Sequence, residues 1–336
     1  MRRYISLGLT AVVFLIAHAC FADPDIEVRI DGPTCSPDGY RVAFAVVSDH
    51  PRFCILDLTM GKVETIRFPG RLVEAFYGIS WDSKGRFLVA TIIEGVAGKP
   101  GPFSIWQLDL GTLEWSRVSE PDTDIYQRPL VSPDRKTVLF RAATGRDLVV
   151  ADLNSGRQRS VTKCGDIYRL GYDWTPDGER IYFSRGYMSR DNGLWSVNAD
   201  GTDMKVVSKE FEPYALAVSK TGRYIAFAET NGRNSLFVSG LDAFDPIEIS
   251  ANCSLYFSWS PNDDRLAFCT AGCIKVWKPS TDNTGKGSVV TIANGNCSYP
   301  IWTREGKAVL FNRSETSLWE HHLSTGETKE VYALSP

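Results

Sequence analysis

Six tyrosines recur at similar places along the chain, and their type and spacing suit them to bind a ligand. Each lies six to nine residues before the corner of a short polar turn, and Arg128 and Arg169 lie beside two of them. Tyrosine and arginine bury a large area while keeping a polar end, and both are enriched at binding hot spots. They predict a rim that binds a protein, a peptide or an oligosaccharide. The six are Tyr77, Tyr126, Tyr168, Tyr214, Tyr256 and Tyr299.

A structural role for these tyrosines is the alternative. In that case they pack between neighbouring repeats and bond their hydroxyls locally. Four tryptophans differ from them because they stand inside a recurring strand motif, so we expect them in the core. They are Trp81, Trp174, Trp259 and Trp302.

Catalytic chemistry has few candidate groups. The chain has four histidines, and the adjacent His321 and His322 point to opposite faces of a predicted strand. The G-x-S-x-G turn that would expose a serine nucleophile does not occur. We interpret Asp122 and Asp124 as solvated loop charge, and residues 198–203 as a hairpin turn. We therefore predict no catalytic residue, no metal site and no cofactor. The alternative is a carbohydrate-active lyase or hydrolase with its site at the channel mouth.

The elements that position these residues come from a repeated motif. An apolar stretch, a Pro/Asp/Gly turn, a polar residue and alternating apolar residues recur seven times, 41 to 50 residues apart. Proline and glycine supply the backbone angles of the turn, and aspartate bonds its own backbone there. The copies read CSPDGYRVAF, WDSKGRFLVA, VSPDRKTVLF, WTPDGERIYF, VSKTGRYIAF, WSPNDDRLAF and WTREGKAVLF.

A second hairpin follows each motif, so each period holds four strands. A period of about 40–50 residues with four strands is typical of a propeller blade. We predict an all-β fold, a seven-bladed β-propeller of four-stranded antiparallel blades, with six blades as the alternative. The motif turns then share one face, and the connections between blades open with the tyrosines on the other. The strand at residues 26–30 is expected to pair with the last blade.

The motif resembles the repeat of TolB-like, WD-repeat-like β-propeller proteins over residues 30–335. The resemblance implies the propeller fold and a binding role, while prolyl-oligopeptidase-like enzymes carry similar repeats. TolB-like propellers that act as lyases on pectic oligosaccharides use histidine-rich metal sites, for which this chain has too few histidines. Seven periods use up residues 23–336, which we predict to be one domain.

The amino terminus predicts export. Arg2 and Arg3 precede an apolar stretch of about 13 residues, too short to span a bilayer, which suits a signal peptide over residues 1–22. We expect a periplasmic or secreted monomer without a transmembrane segment, with a lipoprotein anchored through Cys20 as the alternative. The net charge of −3 does not favour a nucleic-acid partner.

Eight cysteines leave the redox state open. Export permits disulfides without requiring them. Cys269 and Cys273 flank a short turn that a disulfide would fit, and Cys253 and Cys297 are interpreted first as small core or loop residues and second as a pair.

Overall fold

The computed structural model describes residues 28–48, 50–68, 72–94, 102–119, 128–142, 146–186, 191–229, 232–280 and 287–334. For residues 72–77 and 94 it describes the backbone. The predicted signal peptide lies outside the described residues.

Four-stranded antiparallel sheets follow one another along the chain. Within the described residues, 28 strands form seven such units, and units four and five are joined by one parallel bridge between Leu170 and Ala215. The strands of units one and two are β1 (Arg29–Cys35), β2 (Arg41–Val47), β3 (Arg52–Asp57), β4 (Lys62–Ile66), β5 (Leu72–Trp81), β6 (Phe87–Glu94), β7 (Phe103–Asp109) and β8 (Trp115–Arg117).

The remaining units repeat the same order. Those of units three and four are β9 (Leu130–Val131), β10 (Thr137–Arg141), β11 (Leu148–Asp152), β12 (Gln158–Ser160), β13 (Ile167–Trp174), β14 (Arg180–Arg185), β15 (Gly193–Asn198) and β16 (Lys205–Ser208). Those of units five and six are β17 (Ala215–Val218), β18 (Tyr224–Glu229), β19 (Ser235–Gly240), β20 (Ile247–Ser250), β21 (Cys253–Trp259), β22 (Leu266–Thr270), β23 (Cys273–Lys278) and β24 (Ser288–Ala293). Unit seven holds β25 (Cys297–Thr303), a 3₁₀ helix (Arg304–Gly306), β26 (Ala308–Arg313), β27 (Ser317–His322) and β28 (Thr328–Ala333).

The predicted fold class, an all-β propeller of four-stranded antiparallel blades, is confirmed. Each unit is a meander in which the first strand pairs with the second, the second with the third and the third with the fourth. The motif turn joins the first two strands, so these turns share one face, the turn face. The loops after each second strand and the connections between units share the other, the loop face. The total of seven blades stays a prediction.

The four motif tryptophans lie between neighbouring units, as expected for core residues. Each is at most 8% exposed and donates its indole N–H to a backbone carbonyl of the preceding unit. The distance is 3.3 Å from Trp174 to Leu130 and 2.8 Å from Trp302 to Ser258. One side chain thus supplies apolar area and a directed hydrogen bond across the same interface.

Arginines after the motif turn add a second link on the turn face. The guanidinium of Arg41 lies 5.3 Å from the ring centroid of Trp81 and donates to the carbonyl of Gly85 at 2.6 Å. The guanidinium of Arg265 likewise lies 4.7 Å from the ring centroid of Trp302 and donates to the carbonyl of Gly306 at 2.8 Å. Each contact joins a unit to the next one along the chain.

The first unit contacts the seventh. The Ile30 amide donates to the carbonyl of Glu315 at 2.7 Å, and the Asn312 side-chain amide donates to the carbonyl of Ile30 at 3.1 Å. Leu310 and Leu318 of unit seven join a core cluster built mainly from unit one. The expected pairing of residues 26–30 with the last blade is wrong for Ile30, which belongs to β1 and pairs with β2. Unit one supplies its own first strand, so units one and seven meet through apolar packing and these hydrogen bonds and not through a shared blade.

The cysteines within the described residues are free thiols. The Cys269 thiol donates to the carbonyl of Cys297 at 3.0 Å, and Cys273 contacts the carbonyl of Ala271. No disulfide joins Cys269 and Cys273 across this described hairpin. Cys253 and Cys297 are buried, which selects the core from their first interpretation as small core or loop residues.

Candidate functional site

Four of the predicted rim tyrosines lie in the early part of the first strand of a unit or directly before it: Tyr168, Tyr214, Tyr256 and Tyr299. In β13, β21 and β25 the pairing with the second strand is irregular at this point. Tyr168, Tyr256 and Tyr299 fall within these irregular stretches, and Tyr299 has a positive φ of 50°. A bulge bends its strand and turns side chains in new directions. It thereby frees these tyrosines from the regular in-and-out alternation of the strand.

Two of these tyrosines form a pair at the junction of units six, seven and one. The ring centroids of Tyr256 and Tyr299 are 4.0 Å apart, with 32° between the ring planes. The hydroxyl of Tyr299 donates to Oδ1 of Asp31 at 3.1 Å. Tyr256 is 42% exposed. We call Asp31, Tyr256 and Tyr299 the Asp31 cluster.

The electrostatics of the Asp31 cluster disfavour negative charge on its tyrosines. Burial and the Asp31 carboxylate raise the pKa of Tyr299 far above its usual range. Burial also raises the pKa of Tyr256, while the hydrogen bond with Tyr299 lowers it and the charges of Asp31 and Tyr214 raise it. Both hydroxyls therefore stay protonated at neutral pH, and that of Tyr299 donates its proton to Asp31. The effect of Tyr214 on Tyr256 also indicates that the tyrosines of units five and six are near one another.

A second group lies at the junction of units four and five. The rings of Tyr168 and Tyr214 have centroids 5.0 Å apart. The Tyr168 hydroxyl donates to Oε1 of Glu212 at 3.0 Å, and the Asn192 amide donates to Oε2 of Glu212 at 3.3 Å. We call Tyr168, Tyr214 and Glu212 the Glu212 cluster. Both oxygens of its carboxylate accept hydrogen bonds from neutral donors.

A second carboxylate lies beside the Glu212 cluster. Glu229 ends strand β18, is 7% exposed, and accepts a hydrogen bond from the backbone amide of Glu212. Burial raises the pKa of Glu229, the hydrogen bond from Glu212 lowers it, and the negative charge of Glu212 raises it. The pair thus combines a carboxylate with a raised pKa and a more accessible one, an arrangement that acid–base chemistry uses.

The two predicted arginines lie at the first strands of units three and four. The Arg128 guanidinium has Nη2 3.9 Å from Oδ2 of Asp173 and Nη1 3.5 Å from the carbonyl of Leu216. It therefore spans from the start of unit three to the first strands of units four and five. Arg169 is half-buried in β13, directly after Tyr168. Arg128 thus links units three, four and five.

The structure gathers four of the six predicted tyrosines into two pairs. Tyr126 lies outside the described residues, and Tyr77 is described by its backbone, which lies opposite Thr91. Sequence reasoning missed Asp31, Glu212 and Glu229. A signal for Asp31 was present, because it stands seven residues before Asp38, in the window where later copies hold tyrosine. No comparable pattern marks Glu212 or Glu229.

Neither a metal-ligand cluster nor a membrane-spanning helix occurs in the part of the chain that the structure describes. No group of three or more histidine, cysteine, aspartate or glutamate side chains is placed there to hold a metal ion. No helix in these ranges is long and apolar enough to cross a membrane.

Comparisons with solved structures show a β-propeller. The chain is similar to an oligogalacturonate lyase from Vibrio parahaemolyticus, with 12% identity, a TM-score of 0.64, and 85% of this chain and 88% of that chain covered. It is similar to the β-propeller domain of Cps50 (Swd1) from Myceliophteria thermophila, with 12% identity, a TM-score of 0.57, and coverage of 92% and 98%. TolB from Acinetobacter baumannii is 20% identical over 64% of this chain and 52% of that chain, with a TM-score of 0.49.

No family model matches the chain, and no curated protein matches it by sequence. Identities this low show the fold alone. The propeller fold that the TolB-like motif predicted is therefore established, and membership of that family stays a prediction.

Proposed function

We propose that this protein is an exported, non-catalytic propeller that binds a protein or ligand at the loop face, where the Asp31 and Glu212 clusters lie. The observation that carries the proposal is the Tyr256–Tyr299 pair, whose centroids are 4.0 Å apart and whose outer member is 42% exposed. Paired aromatic rings with hydroxyl donors offer a large contact area at little entropic cost. Loops and strand ends on a rigid scaffold are common places for such a surface.

The cellular setting is part of the same proposal. The predicted signal peptide over residues 1–22 leads us to place the protein in the periplasm or outside the cell, as a monomer. The partner is a protein, a peptide or an oligosaccharide, and its contact is made on the loop face.

Affinity capture tests the proposal directly. Wild-type protein and the double variant Tyr168→Ala/Tyr256→Ala are used to capture partners from an envelope extract of the host. Tyr40→Ala is the matched control, because Tyr40 lies at a motif turn on the turn face. We expect one partner to be recovered with wild type and with the control and to be lost with the double variant. Equal recovery with all three proteins would show that the tyrosines do not form the binding surface.

A carbohydrate-active enzyme is the second candidate, and the Glu212–Glu229 pair favours it. A buried carboxylate with a raised pKa beside a second carboxylate and a tyrosine hydroxyl is a usable acid–base arrangement. A turnover screen on oligosaccharides at high protein concentration compares wild type with Glu229→Gln. If wild type forms a product and Glu229→Gln does not, the protein is an enzyme and the non-catalytic proposal is wrong.

A further inference from the structure

Asp31 differs from Glu212 in how its carboxylate is bonded. Its Oδ1 accepts the Tyr299 hydroxyl, and within the described residues its side chain has no other hydrogen bond and no ion pair. Glu212 has both oxygens occupied by Tyr168 and Asn192. Asp173, which lies near the motif-turn end of β13, has an arginine within 3.9 Å and also accepts a hydrogen bond from the backbone amide of Val218. Among the described residues, Asp31 thus keeps an oxygen and a negative charge without a partner.

The aromatic surface beside this carboxylate is open on one side. Tyr299 holds Asp31 through its hydroxyl and contacts Tyr256 through its ring, and Tyr256 presents 42% of its surface to solvent. Tyr299 therefore connects the exposed ring of Tyr256 to the carboxylate of Asp31. The faces of tyrosine rings carry negative potential and attract cations. The Asp31 carboxylate and the faces of the tyrosine rings therefore both attract a cation.

We propose that the Asp31 cluster binds the guanidinium group of an arginine side chain in a peptide segment of the partner. This inference rests on the proposed binding function and names the group recognised there. A guanidinium is planar, stacks on aromatic rings and donates hydrogen bonds to carboxylates from its edge. It matches a carboxylate beside a pair of aromatic rings better than a spherical, strongly hydrated ammonium.

The pKa directions agree with this assignment. The charge of Asp31 raises the pKa of both Tyr256 and Tyr299, so the negative potential of the carboxylate reaches the two rings. A bound cation would offset that potential. Binding of the guanidinium should therefore lower the pKa of Tyr256, which gives the interaction a spectroscopic signature.

The test uses the full protein with isotope-labelled tyrosine rings, and NMR follows the ring signals as a peptide is added. The probe is acetyl-Gly-Arg-Gly-amide, and its control is the same peptide with citrulline, which keeps the shape and loses the charge. We expect saturable shifts of the Tyr256 and Tyr299 ring signals with the arginine peptide and binding at least about tenfold weaker with citrulline. Asp31→Asn should weaken binding of the arginine peptide by about tenfold. Glu64 is an exposed carboxylate on β4, and Glu64→Gln should leave that affinity unchanged.

Three outcomes would overturn the inference: no saturable shift with the arginine peptide, equal shifts with citrulline, or equal affinity for wild type and Asp31→Asn. A lysine peptide that binds more tightly than the arginine peptide would also contradict it. These outcomes are separate from failure of the binding function. If capture of a partner needs Tyr168 and Tyr256 but is unaffected by Asp31→Asn, the proposed binding function stands and the proposal that the Asp31 cluster recognises a guanidinium group is wrong.

Discussion

At the scale of single residues, one position of the repeat has changed its chemistry. The window that holds tyrosine in later copies holds Asp31 in the first, and the Tyr299 hydroxyl reaches across to it from unit seven. Unit one thus carries an acidic side chain at the place where later units carry a tyrosine. Because the neighbouring groups are tyrosines, that charge acts directly on their ionisation.

The Asp31→Asn variant should lose less stability in alkali than the wild type. A tyrosine in the unfolded chain ionises near pH 10, whereas in the folded state the pKa of Tyr256 and Tyr299 is raised. The unfolded state then binds fewer protons above about pH 10, so the free energy of unfolding falls as the pH rises. Removing the Asp31 charge lowers both folded-state pKa values and reduces that fall.

Urea unfolding at several pH values between about 8 and 11 would measure this effect. Glu64→Gln serves as the charge-matched control and should follow the wild-type curve. If Asp31→Asn shows the same alkaline slope as wild type, the carboxylate does not raise the pKa of Tyr256.

Replacing a motif tryptophan should be costly even when the substitute is aromatic. Trp174→Phe removes the indole donor 3.3 Å from the carbonyl of Leu130 and leaves that carbonyl without this donor between two units. We expect the free energy of unfolding to fall by about 2 kcal/mol or more. Trp195→Phe is the comparison, since its indole bonds an exposed carbonyl of Asp191, and it should cost less than about 1 kcal/mol.

Chemical denaturation followed by circular dichroism gives both values. Similar losses for the two variants would mean that the hydrogen bond between units contributes little beyond ring packing.

The sequence could predict that the tryptophans lie in the core and that the tyrosines lie near the first strands, because each occupies a fixed place in a repeat. It could not predict the two pairings. Tyr168 meets Tyr214 and Tyr256 meets Tyr299 because strand irregularities turn the rings, and those depend on packing between units. Glu212 lies in a connection with no repeated pattern, and for that reason its bond to Tyr168 was beyond sequence reasoning.

At the scale of elements, the turn face connects each unit to the next. Gly39 shows how closely: it has a φ of +79°, and a Cβ placed there would lie 2.5 Å from the backbone nitrogens of Arg304 and Glu305. The motif turn of unit one therefore packs against the corresponding turn of unit seven, where the Arg304 amide donates to the carbonyl of Gly39. Glycine is required at this turn by both its angle and its neighbour.

A pair of glycine substitutions separates these two requirements. Gly61 has a φ of +64°, and a Cβ placed there would meet no atom within 4 Å, so Gly61→Ala should cost about 1 kcal/mol from backbone strain alone. Gly39→Ala carries the same strain and a backbone clash, and we expect about 2 kcal/mol more. Thermal and urea unfolding of the two variants measure the difference. Equal costs would show that the contact between units one and seven is loose enough to yield.

The strand pattern itself followed from the sequence with one exception. Alternating apolar residues and turn chemistry located the first two strands of every unit, because these are local signals. The partner of the first strand is not local. Ile30 was expected to pair with the last blade, yet it pairs within unit one and contacts unit seven by hydrogen bonds through its amide and carbonyl.

At the scale of the whole molecule, closure makes every unit a neighbour of two others. The described residues place unit one against unit seven through Ile30 and a shared apolar cluster. An open array would have two free ends from which unfolding starts, whereas a closed ring has none. Closure therefore couples the stability of distant units.

Asn312 allows that coupling to be measured. Its side chain is fully buried and donates to the carbonyl of Ile30 across the closing interface. Asn312→Ala should lower the free energy of unfolding by about 2 kcal/mol, since a buried carbonyl loses its donor. Asn198→Ala breaks bonds to Arg180 and Thr202 inside unit four and is the matched control.

The decisive observation is whether Asn312→Ala destabilises all units or only those at the closing interface. In a closed ring, Asn312→Ala shifts the urea midpoints seen by far-ultraviolet circular dichroism and by tryptophan fluorescence equally, because the units unfold together. Hydrogen exchange should then show faster opening in all units, including units four and five opposite the interface. Faster exchange confined to units one and seven would show that the ring opens locally, and that closure stabilises only the units that make it.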